Sequence, residues 1–77
     1  MSKFVIKFRG YNPRGIANFS NEFTEFSSET GELMKFETET QAELVAEEIM
    51  EYYRQPLVVI TEQEHIKHVK RCKEIYG

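Results

Sequence analysis

Residues 36 to 54 carry the pattern that most constrains the fold, an apolar stripe with the period of an α-helix. A proline follows the stripe at position 56 and disfavours helical geometry in the residue before it. Thr38 or Thr40 can cap the first turn. We therefore expect one long helix that is buried along the members of the stripe, which recur at i, i+3, i+4, i+7, i+8 and i+11: Ala42, Val45, Ala46, Ile49, Met50 and Tyr53.

The opposite side of this helix carries a row of glutamates with no lysine or arginine between its first and last members. Like charges on one helical face repel each other by a few tenths of a kcal/mol per pair, so the row does not stabilise the helix. The simplest interpretation is that these glutamates only form a solvent-exposed face. A negative field of this kind also steers association with a basic partner. The row is called the acidic face below and consists of Glu39, Glu43, Glu47, Glu48 and Glu51.

Four segments have the composition of β-strands. The first alternates apolar and basic residues, which predicts a buried side and a basic outer side. The last is an uninterrupted apolar run, which is typical of a strand covered on both faces, and we expect it inside the sheet. The four segments are residues 3–9, 19–27, 33–36 and 57–60, and turn-forming residues at 10–15 and 28–31 separate the first three.

A second helix is predicted from Thr61, where Thr61 and Glu64 have the spacing of a capping box. The expected order of elements is β-β-β-α-β-α. This order predicts an α+β fold, with two helices packed on a small mixed sheet of about four strands. We expect residues 1–77 to form a single domain.

Composition limits the classes of function. The single cysteine cannot form an internal disulfide, which favours a reducing compartment. No apolar run approaches the roughly 20 residues that span a bilayer, and the N-terminus lacks a signal-peptide core. We therefore expect a cytoplasmic protein without membrane contact. A net charge of −3 argues against a general nucleic-acid binder.

Three residues of the second helix have side chains that bind metals, His65, His68 and Cys72, at spacing i, i+3 and i+7. Cys72 lies within the apolar face of that helix, where a free cysteine behaves as a small hydrophobe, and the histidines lie at its border. A tetrahedral site also needs a fourth ligand, and no second pair is present. We expect neither a metal nor another cofactor.

Catalysis is also not expected from these residues. Cys72 and His68 lie on one helix without oxyanion donors, and the acidic face is solvated, so burial cannot raise a carboxyl pKa for acid or base work. The glycines of residues 10–15 do not have the spacing of a phosphate loop. The sequence therefore indicates a non-enzymatic protein.

A nucleic-acid site is the alternative to a protein-binding site. Basic residues beside an aromatic residue suit single-stranded nucleic acid through phosphate contact and base stacking. Lysines on an exposed strand face also serve to prevent edge-to-edge aggregation, so the pattern has a structural explanation as well. The candidate residues are Lys3, Lys7, Arg9, Tyr11 and Arg14.

The junction Phe36-x-Thr38-x-x-x-Ala42, followed by the amphipathic helix and a short apolar strand, resembles small uncharacterised accessory proteins of bacteriophages and prophages. The resemblance covers about residues 33–60. It implies a compact, cytoplasmic, non-catalytic protein that binds and modulates a host or viral macromolecule, and it implies no site residue.

The leading hypothesis is a small interaction module that binds another protein, through the acidic face or the loop from Tyr11 to Arg14. Such a partner could itself be a basic nucleic-acid-binding protein. Direct binding of nucleic acid is the alternative hypothesis. Self-association as a homodimer is a third, because residues 57–60 and the aromatic second strand could leave apolar surface uncovered.

Overall fold

A four-stranded sheet and two helices make up the part of the chain that the structure, a computed structural model, describes: residues 3–10, 12–20 and 23–76. The predicted α+β class and the order β-β-β-α-β-α are confirmed. A short 3-10 turn, Thr30–Glu32, precedes the first helix. The other elements are β1 (Phe4–Phe8), β2 (Gly15–Phe19), β3 (Thr24–Ser27), α1 (Glu39–Tyr53), β4 (Leu57–Thr61) and α2 (Glu62–Tyr76).

The strands lie in the order β3-β2-β1-β4, and every pair of neighbours is antiparallel, so the sheet is not mixed. β4 runs beside β1 from the pair Phe4 and Thr61 to the pair Phe8 and Leu57. The expectation of a central position for β4 is therefore wrong, because it is an edge strand. Its continuous apolar run reflects the two helices that cover its two faces, and not a strand on each side.

The predicted strand 19–27 is wrong as a single element, because β2 ends at Phe19 and a separate strand follows it. The backbone N–H of Ser20 donates to the carbonyl of Phe23 at 3.0 Å, and β3 starts only at Thr24. A bulge at Ala17 disturbs the register between β2 and β3. The predicted strand 33–36 contributes only a single bridge, between Phe36 and β1.

The helix α1 covers one face of the sheet. Its N-cap is Thr38, whose hydroxyl accepts a hydrogen bond from the N–H of Gln41 at 3.2 Å, as the sequence predicts. Val45 and Met50 of the apolar stripe are half-buried, whereas its last member, Tyr53, is exposed at the end of the helix, so the expectation that Tyr53 is buried is wrong. The main hydrophobic core forms where the stripe meets inward residues of the strands, and it contains Ile6, Ile16, Ala42, Ala46, Ile49 and Leu57.

The helix α2 covers the opposite face of β1 and β4. Thr61 caps its first turn, because its hydroxyl accepts from the Glu64 N–H and donates to the Glu64 carboxylate, both at 3.1 Å, so Glu64 bonds the side chain of Thr61 and not its backbone N–H as in a full capping box. Val5 and Lys7 alternate with Ile6 and so lie on this face, where Val5 is fully buried and Lys7 is only 4% exposed. The expectation of a basic, solvent-exposed face on β1 is therefore wrong.

No helix in the described part of the chain is long and apolar enough to cross a membrane.

Candidate protein-binding surface

The acidic face lies on the outer side of α1, and all five of its glutamates are exposed. Among the described residues, the ion pairs join Lys3 to Glu37 and Lys35 to Glu62, so none of them neutralises this face. An apolar residue, Leu44, lies on the same outer side and is 62% exposed. The positions i+3, i+4 and i+7 from Leu44 are all glutamates, so acidic side chains border it on its C-terminal side, while Thr40 and Gln41 lie on the other side.

One flank of α1 forms a groove with the edge strand β4. The groove has a volume of about 390 Å³. Exposed carboxylates lie along it, above a mainly apolar floor, so it combines apolar area with negative charge. Its residues include Glu43, Glu47, Ala46, Met50, Leu57 and Val59. Neither Leu44 nor this groove was identified from the sequence, although an apolar residue inside a run of glutamates is a signal that could have identified Leu44.

His65, one of the three metal-ligand candidates, is fully buried, and both of its ring nitrogens have partners. Nε2 lies 3.1 Å from the carbonyl oxygen of Pro13, which can only accept, so Nε2 carries the proton. Nδ1 therefore accepts from the hydroxyl of Thr30 at 2.7 Å. Burial lowers the pKa of His65 below its ordinary value of 6.5, the bond to Pro13 opposes this, and electrostatic interactions with His68, Lys7 and Lys35 act in the same direction as burial.

The other two metal-ligand candidates lie beside the same loop. His68 Nε2 donates to the carbonyl of Asn12 at 3.0 Å, and the sulfur of buried Cys72 lies 3.5 Å from that nitrogen. The described residues contain no group of three or more histidine, cysteine or acidic side chains arranged to hold a metal. The structure thus brings the three candidates to one side of α2, where the histidines bind the backbone of residues 12–13.

The nucleic-acid candidates do not share one surface. Lys3 pairs with Glu37, and that hydrogen bond lowers the pKa of the Glu37 carboxyl. Lys7 donates to the carbonyls of Phe8 and Gly10, and burial lowers the pKa of its ammonium. Arg9 and Arg14 are exposed at the far end of β1 from Lys3, and Tyr11 lies outside the described residues.

A row of aromatic rings runs from the sheet to the end of α1, and it was not predicted because three separate elements contribute to it. Ring centroids are 5.2 Å apart for Phe8 and Phe26, 6.2 Å for Phe26 and Tyr53, and 5.0 Å for Tyr52 and Tyr53. The outermost ring, Tyr52, is 70% exposed. This aromatic row is a second surface that a ligand could contact.

Comparisons of this chain with protein-family models, with curated proteins and with solved structures find no match.

Proposed function

We propose that this protein is a small, non-enzymatic, cytoplasmic interaction module that binds a basic partner protein through the acidic face of α1. The observation that supports this most directly is Leu44, 62% exposed among glutamates that have no cationic partner in the described chain. Contact with a partner would bury Leu44, while the surrounding charge selects a basic surface and accelerates association.

The chemistry of the other side chains supports a binding role over catalysis. Both ring nitrogens of His65 and the ammonium of Lys7 are occupied by partners within the chain. Activity as an accessory protein or inhibitor, of the kind that the resemblance to phage proteins implies, requires only that binding blocks or modulates the partner.

The test is affinity capture from a bacterial lysate with the tagged protein, with and without nuclease, followed by mass spectrometry. We expect at least one basic protein to be retained after nuclease treatment. The triple variant Glu43→Lys, Glu47→Lys and Glu51→Lys should lose it, because charge reversal replaces attraction by repulsion.

The matched control carries the same number of charge reversals away from α1, at Glu25, Glu29 and Glu74, which are also exposed. It should retain the partner. Equal loss in both triple variants would mean that net charge alone governs the interaction, and the proposal would then be wrong.

The aromatic row supports nucleic acid as a second candidate ligand. The N–H of Arg9 donates to the carbonyl of Pro56 at 3.1 Å, which places exposed Arg9 close to the end of α1, where Tyr52, Tyr53 and Arg54 lie. Arginines beside exposed rings suit single strands through phosphate contact and base stacking. If such binding occurs, the logarithm of the binding constant should fall as the logarithm of the salt concentration rises. The double variant Arg9→Ala with Arg14→Ala should make this slope shallower by about 1.4, since each phosphate contact contributes about 0.7.

A further inference from the structure

The backbone of β4 has one edge without a partner strand. Two hydrogen bonds show which residues beside β4 bond to β1 and its flanking residues. The Arg9 N–H donates to the Pro56 carbonyl at 3.1 Å, and the Glu62 N–H donates to the Lys3 carbonyl at 2.8 Å. In an antiparallel ladder the residues between bonded pairs direct their N–H and C=O groups away from the partner. Leu57 and Val59 therefore direct these groups outward, where no described strand lies.

This edge lacks the features that usually protect edge strands. Between Leu57 and Thr61 there is no charged residue, no proline and no bulge in the register with β1. Such an edge is a template for pairing with another chain. Its composition is therefore that of a strand that can accept an added strand.

The groove beside this edge indicates the chemistry of the added strand. Side chains of a strand alternate between its two faces, so every second residue of an added strand would enter the groove beneath α1. A lysine or arginine there can lay its aliphatic stem against Met50 and place its charge at Glu43 and Glu47. Residues on the other face would lie beside half-buried Val58 and Ile60, which suits apolar side chains.

A second copy of this chain fits the same edge poorly. Pairing two β4 strands about a two-fold axis would place both α1 helices on one face of the joined sheet. The carboxylates of Glu43 and Glu47 would then face their own copies without a described counter-ion, and like charges in this arrangement repel.

We infer that the free edge of β4 binds an extended segment of a partner protein by strand addition, and that basic residues alternating with apolar ones in that segment pair with Glu43 and Glu47. This inference rests on the proposed function, because it specifies how a basic partner engages the acidic face. Backbone hydrogen bonds supply affinity, and the groove supplies selectivity.

The first test uses a labelled, end-blocked peptide of about seven residues that alternates lysine and valine, which matches the length of an ordinary strand. We expect binding by fluorescence anisotropy. Amide hydrogen exchange should slow at Leu57 and Val59, and should not change at Val58 and Ile60, whose N–H groups already bond to β1. A peptide that alternates glutamate and valine should not bind.

Charge variants separate the groove from the rest of the acidic face. Glu43→Gln with Glu47→Gln should weaken binding of the lysine–valine peptide about tenfold, which corresponds to two ion pairs in the upper half of the range for exposed pairs. The matched control, Glu48→Gln with Glu51→Gln, removes the same charge outside the groove and should change the affinity less than about twofold.

A backbone variant tests the hydrogen bonds themselves. Val59→Pro removes an outward N–H and leaves the bonds to β1 in place, as proline at an edge allows, and it should abolish peptide binding. Should this variant fail to fold, a peptide with N-methyl groups on alternate residues makes the same test from the ligand side. It should not bind the unaltered protein.

Several results would overturn strand addition. These are no binding of the lysine–valine peptide, binding without slowed exchange at Leu57 and Val59, or a dimer in sedimentation that Val59→Pro dissociates. If a basic protein is nevertheless captured and then lost when Glu48 and Glu51 are reversed to lysine, the proposed function stands and only strand addition is wrong.

Discussion

The two faces of the sheet are buried by different means. The α1 face is a hydrophobic core, in which Ile6 and Ile16 pack against the apolar stripe of α1. The α2 face contains Lys7, His65 and Cys72, all buried, and the lysine and the histidine are hydrogen-bonded to loop residues. The two layers thus differ in what holds them together, which is burial of apolar side chains on the α1 face and hydrogen-bonded buried polar side chains on the α2 face.

The difference shows what each kind of packing specifies. Burial of apolar area is non-directional, so the α1 face stabilises the fold without fixing the position of any loop. On the α2 face the imidazole of His65 has one partner in Pro13 and another in Thr30, and each bond has a required geometry. The polar face therefore positions two loops against one helix.

The largest expected effect comes from the apolar face. Ile49→Ala should lower the free energy of unfolding by about 3 kcal/mol, through lost transfer energy and a residual cavity. Urea unfolding followed by circular dichroism measures it. Leu44→Ala, on the same helix but exposed, should change stability by less than about 0.5 kcal/mol. Similar losses in both variants would show that α1 is not packed on its stripe.

On the polar face, His65→Leu should cost about 2 kcal/mol, because it leaves the Thr30 hydroxyl and the Pro13 carbonyl without their partner. Thr30→Val removes one of the two bonds and should cost about 1 kcal/mol. The double variant should be less destabilised than the sum of the two, since both changes remove the same bond. Strict additivity would mean that this hydrogen bond makes no contribution.

The pH dependence of the free energy of unfolding distinguishes the α2 face from the α1 face without any change in packing. The pKa of His65 is lower in the folded protein than its ordinary 6.5, so the unfolded chain binds the proton more readily. Its contribution to stability is complete above about pH 7 and is lost as the pH falls from 6.5 toward the folded pKa, at up to about 1.4 kcal/mol per pH unit. Unfolding titrations between pH 5 and 8, within the range about the histidine pKa, should show this slope, and His65→Leu should remove it.

The smallest expected effect is an increase in stability, and it would provide a more stable protein in which to make these measurements. Arg54 ends α1 with a left-handed backbone at φ 55°, a conformation that disfavours residues with a Cβ. Arg54→Gly should raise the free energy of unfolding by about 0.5 to 1 kcal/mol. The control is Gln55→Gly, at the next residue, and it should not stabilise the protein.

The sequence predicted the α1 face better than the α2 face, for a physical reason. The apolar stripe and Thr38 are local features, and they define the helix, its cap and its buried side. Lys7 occupies an alternating position in a strand, where a basic residue predicts solvent. It is buried because α2, which comes from the other end of the sequence, covers that face, and the nearby carbonyls of Phe8 and Gly10 then accept its hydrogen bonds.

The same limit applies to the candidate site. The glutamates of the acidic face could be listed from helical spacing alone. The groove could not be predicted from the sequence, because it forms only when Met50 and Glu43 lie beside the edge strand β4. The strand order that brings them together depends on contacts between distant segments. Gly15 shows the same limit. The sequence places it in a turn, but the structure requires glycine there because a Cβ would lie only 2.7 Å from the carbonyl oxygen of Ile6.

The pairing of β1 with β4 also has a consequence for how fast the molecule folds. The pairings of β1 with β2 and of β2 with β3 close short loops and can form early, whereas the pairing of β1 with β4 must wait for a strand from near the other end of the sequence. Closing that long loop loses chain entropy before the new contacts compensate for it. We therefore expect the meeting of β1 and β4, and not the formation of either helix, to limit the folding rate.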